Sequence, residues 1–304
     1  MNARELGYRV FGRRFDYLLH LRPVEWPIMA AHTAVGYLIA VGFGGAARGE
    51  GLTAALIGVG LWVACLNGGT LAINSAFDRD EGDIAYLRRP PPPPRHLFAF
   101  GLGLMLAGQA LALLLPSPFA LAYAVCLVLS LLYSVPPIRL KAVAGADWLI
   151  NMWGFGAITP YAGWATTGLP VPRAEVMVLL AFCPLFAALY PLTQLYQADE
   201  DRRRGDRTLA LRLGMRGSLN VAIAAVAAAF ALFGAAAFLG DWTGAGRTWR
   251  LAILAAALGV WLAVLIPWRA KAETRSPAGH QRGMYLALGA WAATDAAVLS
   301  TWAT

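Results

Sequence analysis

The feature that most constrains this chain is a series of apolar stretches, several of them long enough to cross a bilayer as a helix. These stretches are continuously apolar, whereas the strands of a membrane β-barrel alternate apolar and polar residues. Inside lipid, a continuously apolar stretch satisfies its backbone hydrogen bonds by forming a helix. Only 14% of the 304 residues are charged, against about 25% in soluble domains. The pattern predicts an integral membrane protein of the all-α class.

The apolar stretches predict nine transmembrane helices in a single domain, residues 1–304. A basic arm, residues 1–26, precedes the first helix and is expected to lie along the membrane surface. The third and fourth helices are joined so tightly that they should form an antiparallel hairpin. The predicted spans are residues 27–45, 52–73, 97–115, 118–135, 148–168, 175–196, 218–240, 249–267 and 284–303.

The distribution of basic residues predicts the orientation in the membrane. If the N-terminus is cytoplasmic, 21 of the 25 Lys and Arg residues fall on the cytoplasmic side, which is a strong positive-inside signal. We therefore expect a protein of a bacterial inner membrane, with its C-terminus on the opposite side from its N-terminus. The same asymmetry explains the net charge of +8, so membrane lipid is an expected partner and nucleic acid is not.

Two acidic segments share one pattern and follow the ends of even-numbered spans. Residues 74–83 read NSAFDRDEGD and residues 197–206 read QADEDRRRGD. Both begin with an amide residue, have Asp-Arg four residues later, and end with Gly-Asp. Even-numbered helices end on the same membrane face, so both segments should be cytoplasmic. The two segments hold eight of the 17 carboxylates, which favours a shared chemical role over solvated loops that only balance charge.

The repeated pattern places oxygen ligands together. Residues four apart on a helix share a face, so Asn74 and Asp78 point the same way. A turn at Gly82 can bring Asp83 back toward the helix end. Such oxygen ligands suit Mg²⁺ bound to a diphosphate. The second segment repeats the arrangement with Gln197, Asp201, Gly205 and Asp206, and phosphate-binding cations are offered by Arg79, Arg202 and Arg207.

A third polar segment, YSVPPIRLK at residues 133–141, is also expected to be cytoplasmic. Arg139 and Lys141 are candidates to contact a phosphate, and Tyr133 to line a cavity; the alternative is an anchor at lipid headgroups. Asn67, two turns before the first acidic segment, either lines a cavity or bonds a neighbouring helix. Asp147, at the start of the fifth span, has the position of a helix N-cap.

Together these motifs resemble the UbiA superfamily of intramembrane prenyltransferases. The similar features are Asn74-x-x-x-Asp78, the YSVPPIRLK segment, Asp201-Arg-x-x-Gly-x-x-Thr-Leu, and an N-terminal Leu-Arg-Pro followed by Trp26. They occur in the family's order over nearly the whole chain. The resemblance implies a nine-helix bundle around a central cavity capped on the cytoplasmic side. In it, two Asp-rich motifs would hold Mg²⁺ against a prenyl diphosphate whose tail lies in the apolar cavity.

The resemblance implies transfer of a prenyl group to an aromatic or quinone precursor or another lipophilic acceptor. A terpene cyclase on the same scaffold remains an alternative. A transporter or scaffold would instead spread polar residues through the middle of the membrane, whereas the acidic residues here gather on one face. The implied catalytic residues are Asp78, Asp201, Lys141, Arg139 and Tyr133; the substrate-binding residues are Asn67, Asn74, Arg79, Gln197, Arg202 and Arg207; the metal ligands are Asn74, Asp78, Asp83, Asp201 and Asp206.

The chain departs from the family pattern at three positions. Ser75 stands where many members have Asp, and Gln197 replaces the usual first Asp of the second motif. The third acid of the first motif is shifted by one residue, because Gly82 occupies its usual place and Asp83 follows. These changes leave fewer standard carboxylates, so the number of metal ions and the subfamily stay open.

Overall fold

The structure is a computed structural model that describes residues 3–78, 87, 89–198, 202, 203, 205, 208–240 and 242–304. The chain begins with an arm composed of α1 (Ala3–Phe11), a 3₁₀ turn (Gly12–Arg14) and α2 (Phe15–His20). Leu6, Val10 and Phe11 of α1 expose half or more of their surface. An amphipathic helix with exposed apolar side chains suits a position along the membrane surface.

The rest of the described chain consists mainly of long helices. Two of these helices are continuous through a π-helical segment. The elements are α3 (Trp26–Ala47), α4 (Leu52–Gly60) followed by the first π-helix (Leu61–Asn67) and α5 (Gly68–Asp78), α6 (Leu97–Ala112), α7 (Ser117–Ser134), α8 (Ala146–Asn151) followed by the second π-helix (Met152–Ile158) and α9 (Thr159–Ala165), α10 (Arg173–Gln194), α11 (Leu209–Leu239), α12 (Gly244–Ala270) and α13 (Pro277–Trp302).

Six helical segments in the described part of the chain are long and apolar enough to cross a membrane. They are Trp26–Ala47, Leu52–Asp78, Ser117–Ser134, Arg173–Gln194, Leu209–Leu239 and Gly244–Ala270. The predicted all-α membrane class is therefore confirmed. The other three predicted spans also coincide with helices, but α6 has only 16 residues, α8 and α9 are separated by a π-helix, and α13 carries more polar residues. The count of nine spans stays a prediction.

The outer surface of the bundle carries large apolar side chains. Leu114 is 82% exposed, and Leu121, Phe238 and Trp249 each expose about two thirds of their surface. A surface with many large exposed apolar side chains is unfavourable in water but suits contact with lipid chains. In the interior, Phe182, Trp261 and other aromatic side chains are fully buried, so the helices pack around a dense core.

Small residues allow α3 and α9 to approach closely. A Cβ atom on Gly36 would lie 1.7 Å from the carbonyl oxygen of Pro160, and one on Gly163 would lie 1.8 Å from that of Thr33. Only glycine fits at such contacts, and close backbone packing through small residues is common between membrane helices. Because the second π-helix leads directly into α9, this crossing also positions the end of that π-helix.

The two π-helices lie on either side of one cavity. A π-helical turn widens a helix locally and often marks a functional site. The first π-helix contributes Trp62, Leu66 and Asn67 to the cavity wall, and the second contributes Gly154 and Phe155. Both irregular segments thus shape the space in which a ligand can bind.

Candidate active site

The first cavity lies between α5, α7 and the two π-helices and has a volume of about 150 Å³. Most of its wall is apolar. Its polar side chains are few and come from five different elements, so they offer specific contacts inside an otherwise apolar space. They are Asn67, Thr70, Asn74, Ser130, Tyr133, Asn151 and Thr159.

A charged cluster lies at the end of this cavity, where α5 ends. The ammonium of Lys141 contacts the side-chain oxygens of both Asn74 and Asp78. Arg139 donates a hydrogen bond of 3.0 Å from Nη2 to Oδ1 of Asp78. Lys141 is only 8% exposed, so its charge is directed into the protein. The structure therefore brings four predicted site residues together beside the cavity.

The backbone after α7 explains how Arg139 and Lys141 reach Asp78. Helix α7 ends at Ser134, and Arg139 has a φ of +38°. This left-handed conformation is strained for a residue with a side chain, and such strain is typical of functional segments. A 3₁₀ turn (Leu140–Ala142) follows, so that both basic side chains face the end of α5.

The described metal-ligand candidates fit one side of a cation site. The oxygens of Asn74 and Asp78 converge on a single cationic group, the Lys141 ammonium. Two convergent carboxylate or amide oxygens are the ligand type that Mg²⁺ prefers. The described residues contain no group of three or more His, Cys, Asp or Glu side chains that could hold a metal. Three further predicted ligands, Asp83, Asp201 and Asp206, lie outside the described residues.

Tyr133 and Asn67 both line the first cavity. The hydroxyl of Tyr133 lies 2.9 Å from that of Tyr190. Asn67 is 4% exposed, and within the described chain neither its side-chain nitrogen nor its oxygen has a hydrogen-bond partner. A buried amide without partners is rare in proteins and calls for an explanation. Of the two interpretations of Asn67, the structure supports cavity lining.

The remaining predicted substrate-binding residues lie in or directly beside the two acidic segments of the sequence. Gln197 is half-buried, and Arg202 is exposed. Neither is among the residues that line the first cavity. Arg79 and Arg207 lie outside the described residues.

A chain of hydrogen bonds connects Tyr133 to the helix that follows the second acidic segment. Beyond the Tyr133–Tyr190 contact, Nε2 of Gln194 donates to the Tyr190 hydroxyl at 3.1 Å and to Oδ2 of Asp147 at 3.4 Å. The same Oδ2 accepts from the backbone N–H of Leu209 at 3.2 Å. The sequence did not reveal this network, which runs from the cavity wall to the start of α11.

The N-cap interpretation of Asp147 was wrong. The N-cap of α8 is Gly145, whose backbone N–H donates to Oδ1 of Asp147 at 2.8 Å. Asp147 lies within the first turn and is completely buried. Its carboxylate does not cap the start of α8. It connects three helices, because Asp147 lies in α8, Gln194 in α10 and Leu209 at the start of α11.

A second cavity of about 230 Å³ adjoins the first. The two share four wall residues, Met29, Leu71, Asn151 and Phe155. One end of the second cavity is lined by Arg22 and Glu25. Burial raises the pKa of the Glu25 carboxyl above its ordinary value, and the nearby positive charge of Arg22 acts in the opposite direction.

Comparison with known proteins identifies the family. The model of the UbiA prenyltransferase family matches residues 32–302. The chain belongs to the UbiA prenyltransferase family. This membership confirms the resemblance seen in the motifs. A search of the curated proteins finds no significant match.

Solved structures of UbiA proteins share the fold. A UbiA homologue from Archaeoglobus fulgidus bound to DMAPP and Mg²⁺ is 20% identical, with a TM-score of 0.71 over 92% of this chain and 99% of that one. The same homologue bound to GPP and Mg²⁺ has a TM-score of 0.70 over the same shares, also at 20% identity. A structure described as digeranylgeranylglyceryl phosphate synthase is 16% identical, with a TM-score of 0.66 over 94% of this chain and 97% of that one.

Some polar residues of this UbiA protein escaped sequence reasoning, although a signal was present. Tyr190 and Gln194 lie four apart near the end of an apolar helix, a spacing that places them on one face. His32 and Asp295 are single polar residues within apolar spans. Asp295 lies inside the predicted ninth span, so the expectation that acidic residues gather on one membrane face was not fully correct.

Proposed function

We propose that the protein transfers a prenyl group from a prenyl diphosphate to a lipophilic acceptor within the membrane. One observation carries this proposal: the cluster of Asn74, Asp78, Arg139 and Lys141 lies at the end of an apolar cavity. A charged site for diphosphate thus adjoins apolar space for a prenyl chain. The family membership and the homologue structures with DMAPP or GPP support the same class of donor.

The basic side chains have the first role in this reaction. Lys141 and Arg139 offset the negative charge that develops on the leaving diphosphate, and such preorganised charge is often the largest contribution to catalysis. The guanidinium of Arg139 can bind two phosphate oxygens at once. Arg79, Arg202 and Arg207 are proposed to add further positive charge from the two acidic segments.

The acidic segments are proposed to bind Mg²⁺. Asn74 and Asp78 supply the ligands that the structure describes, and their convergent oxygens fit this role. Asp83, Asp201 and Asp206 are proposed as the others. Bound there, Mg²⁺ would add positive charge against the diphosphate oxygens. Gln197, at the position that corresponds to Asn74, is proposed to contact the same diphosphate.

The cavity determines what happens once the diphosphate leaves. The allylic C–O bond breaks, and its electron pair leaves with the diphosphate. The apolar wall keeps water away from the resulting carbocation, and the aromatic rings of Tyr133 and Phe155 also line this space. Asn67, whose amide has no partner in the described chain, is proposed to bind the substrate directly.

The second cavity is proposed to hold the acceptor. It shares the wall formed by Met29, Leu71, Asn151 and Phe155 with the first cavity, so two substrates can meet at that wall. A cyclase needs room for one substrate only. The two adjoining cavities therefore favour transfer between two molecules over cyclisation of one.

The test uses purified protein in lipid nanodiscs with Mg²⁺ and either DMAPP, GPP or a longer prenyl diphosphate. Each donor is incubated with and without a membrane lipid extract, and diphosphate release and product masses are measured. The proposal predicts that a product containing both the prenyl group and an acceptor forms only when the extract is present. Without extract, slower ionisation of the donor should still release diphosphate, with acyclic olefin or alcohol as the products. Cyclic hydrocarbons as the main product without extract would indicate a cyclase. No diphosphate release from any donor would favour a transporter or scaffold.

A further inference from the structure

His32 of α3 and Asp295 of α13 form a pair inside the helix bundle. Nδ1 of His32 lies 3.2 Å from Oδ1 of Asp295, and the two residues are 4% and 9% exposed. Ionisable side chains inside a membrane-spanning segment are costly and usually functional. The described catalytic cluster does not include this pair, so it requires an account of its own.

Only one residue of this pair belongs to the wall of the second cavity. His32 lines the cavity, whereas Asp295 is not part of its wall. The imidazole also makes edge-to-face contacts with Phe182 and Trp291, at centroid distances of 4.9 and 4.8 Å. These contacts and the carboxylate hold the ring in one orientation. A base that faces a ligand space and is oriented by a carboxylate is a recurring catalytic arrangement.

The second ring nitrogen of His32 lies near a backbone carbonyl oxygen. Nε2 lies 3.4 Å from the carbonyl oxygen of Gly156, in the second π-helix, which is longer than an ordinary hydrogen bond. When Nδ1–H donates to Asp295, the Nε2 of a neutral ring has only a lone pair. Protonation makes Nε2 a donor, so that both ring nitrogens then face oxygen acceptors, and the carboxylate offsets the new charge.

We propose that His32, oriented by Asp295, accepts the proton that is released when the prenyl cation is captured. This inference rests on the proposed function. In the transfer reaction, the acceptor's electron pair forms the new bond to the allylic carbon, its bond to hydrogen breaks, and the proton passes to Nε2 of His32. When no acceptor is bound, a C–H bond of the cation breaks instead, its electrons form a double bond, and the same nitrogen takes the proton.

His32 lies close to the place where the cavities meet. Met29, which lines both cavities, precedes His32 by three residues on α3. Three residues correspond to about 4.5 Å along a helix axis, so the imidazole lies about one turn beyond the shared wall. A proton released at that wall therefore has an acceptor within the second cavity.

The experiment uses GPP and Mg²⁺ alone with wild type, His32→Gln and Asp295→Asn in nanodiscs. A cation that loses a proton gives an olefin, and one that captures water gives an alcohol. We expect the olefin-to-alcohol ratio to fall by about 10²-fold or more in His32→Gln, the lower end of the range for general acid–base catalysis. Diphosphate release should change less than the ratio. Asp295→Asn should lower the ratio in the same direction.

His280→Gln is the matched control, because His280 is a buried histidine of α13 that bonds Trp268 instead of lining either cavity. It should keep the wild-type ratio. An unchanged ratio in His32→Gln overturns the inference. If that variant does not fold, an unchanged ratio in Asp295→Asn overturns it. Wild-type protein that releases no diphosphate contradicts the proposed function itself, and with it the inference that rests on it.

Discussion

Lys141 contacts Asp78, and this contact attaches the segment after α7 to the end of α5 at the first cavity. The same ammonium contacts the Asn74 oxygen. One cation thereby holds together two residues of the first acidic segment. An anion with several oxygens, such as diphosphate, can bind to the cations of this cluster, while the oxygens of Asn74 and Asp78 remain ligands for a metal ion.

Replacing Lys141 by Ala should impair the reaction strongly. The variant loses a buried positive charge beside the leaving group, and we expect the rate of diphosphate release to fall about 10²-fold or more. Arg139 still bonds Asp78, so the fold should persist. Lys271→Ala is the control, because Lys271 is an exposed lysine at the end of α12. If Lys141 were only a headgroup anchor, both variants would show wild-type rates at matched protein amounts.

Replacing Asn67 by Leu should separate stability from function. The Asn67 side chain has no hydrogen-bond partner in the described chain, so its loss removes no internal bond, and a buried unpaired amide costs about 1–3 kcal/mol. We expect an equal or higher melting temperature together with a KM for substrate raised about tenfold, or 1.4 kcal/mol. A lower melting temperature with unchanged KM would mean that Asn67 stabilises the bundle and does not bind substrate.

Replacing Asp147 should disturb the second acidic segment from a distance. Its carboxylate bonds the Leu209 N–H at the start of α11 and the Gln194 amide, and loss of a buried acceptor costs about 1–3 kcal/mol. Asp147→Ala should therefore raise the Mg²⁺ concentration needed for half-maximal rate. Asp147→Asn retains one oxygen and should restore part of the effect. Asp16→Asn, in the N-terminal arm, is the control.

A purely structural role of Asp147 would give another result. The melting temperature of Asp147→Ala would then fall, while the Mg²⁺ dependence of the remaining folded protein would match that of wild type. Measuring both quantities on the same preparation distinguishes the two roles.

The sequence predicted the parts of the site that follow from helical spacing. Asn74 and Asp78 lie one turn apart, and the structure places their oxygens on one cation. It could not predict the π-helices, because an apolar run has the same pattern whether its turns are α or π. Nor could it pair His32 with Asp295, which are 263 residues apart, because only tertiary packing brings α3 and α13 together.

The orientation in the membrane is still a prediction of the basic residue distribution. Twenty-one of 25 Lys and Arg residues lie on the side assigned to the cytoplasm, and the positive-inside rule therefore places the C-terminus outside. A reporter that functions only on the non-cytoplasmic side of the membrane should be active when it is fused after Thr304. A cytoplasmic reporter signal would contradict the nine-span topology.

The most direct test of the account is the Mg²⁺ dependence of diphosphate release from GPP in four proteins at matched amounts. These are wild type, Asp78→Ala, Asp201→Ala and the double variant, with Asp80→Ala as a control outside the shared positions of the two acidic segments. Both single variants should nearly abolish release and need more Mg²⁺. The double variant should lose much less than the sum of the two effects, because groups that act as one unit are not additive. Wild-type release and Mg²⁺ dependence in Asp78→Ala would contradict the paired metal site.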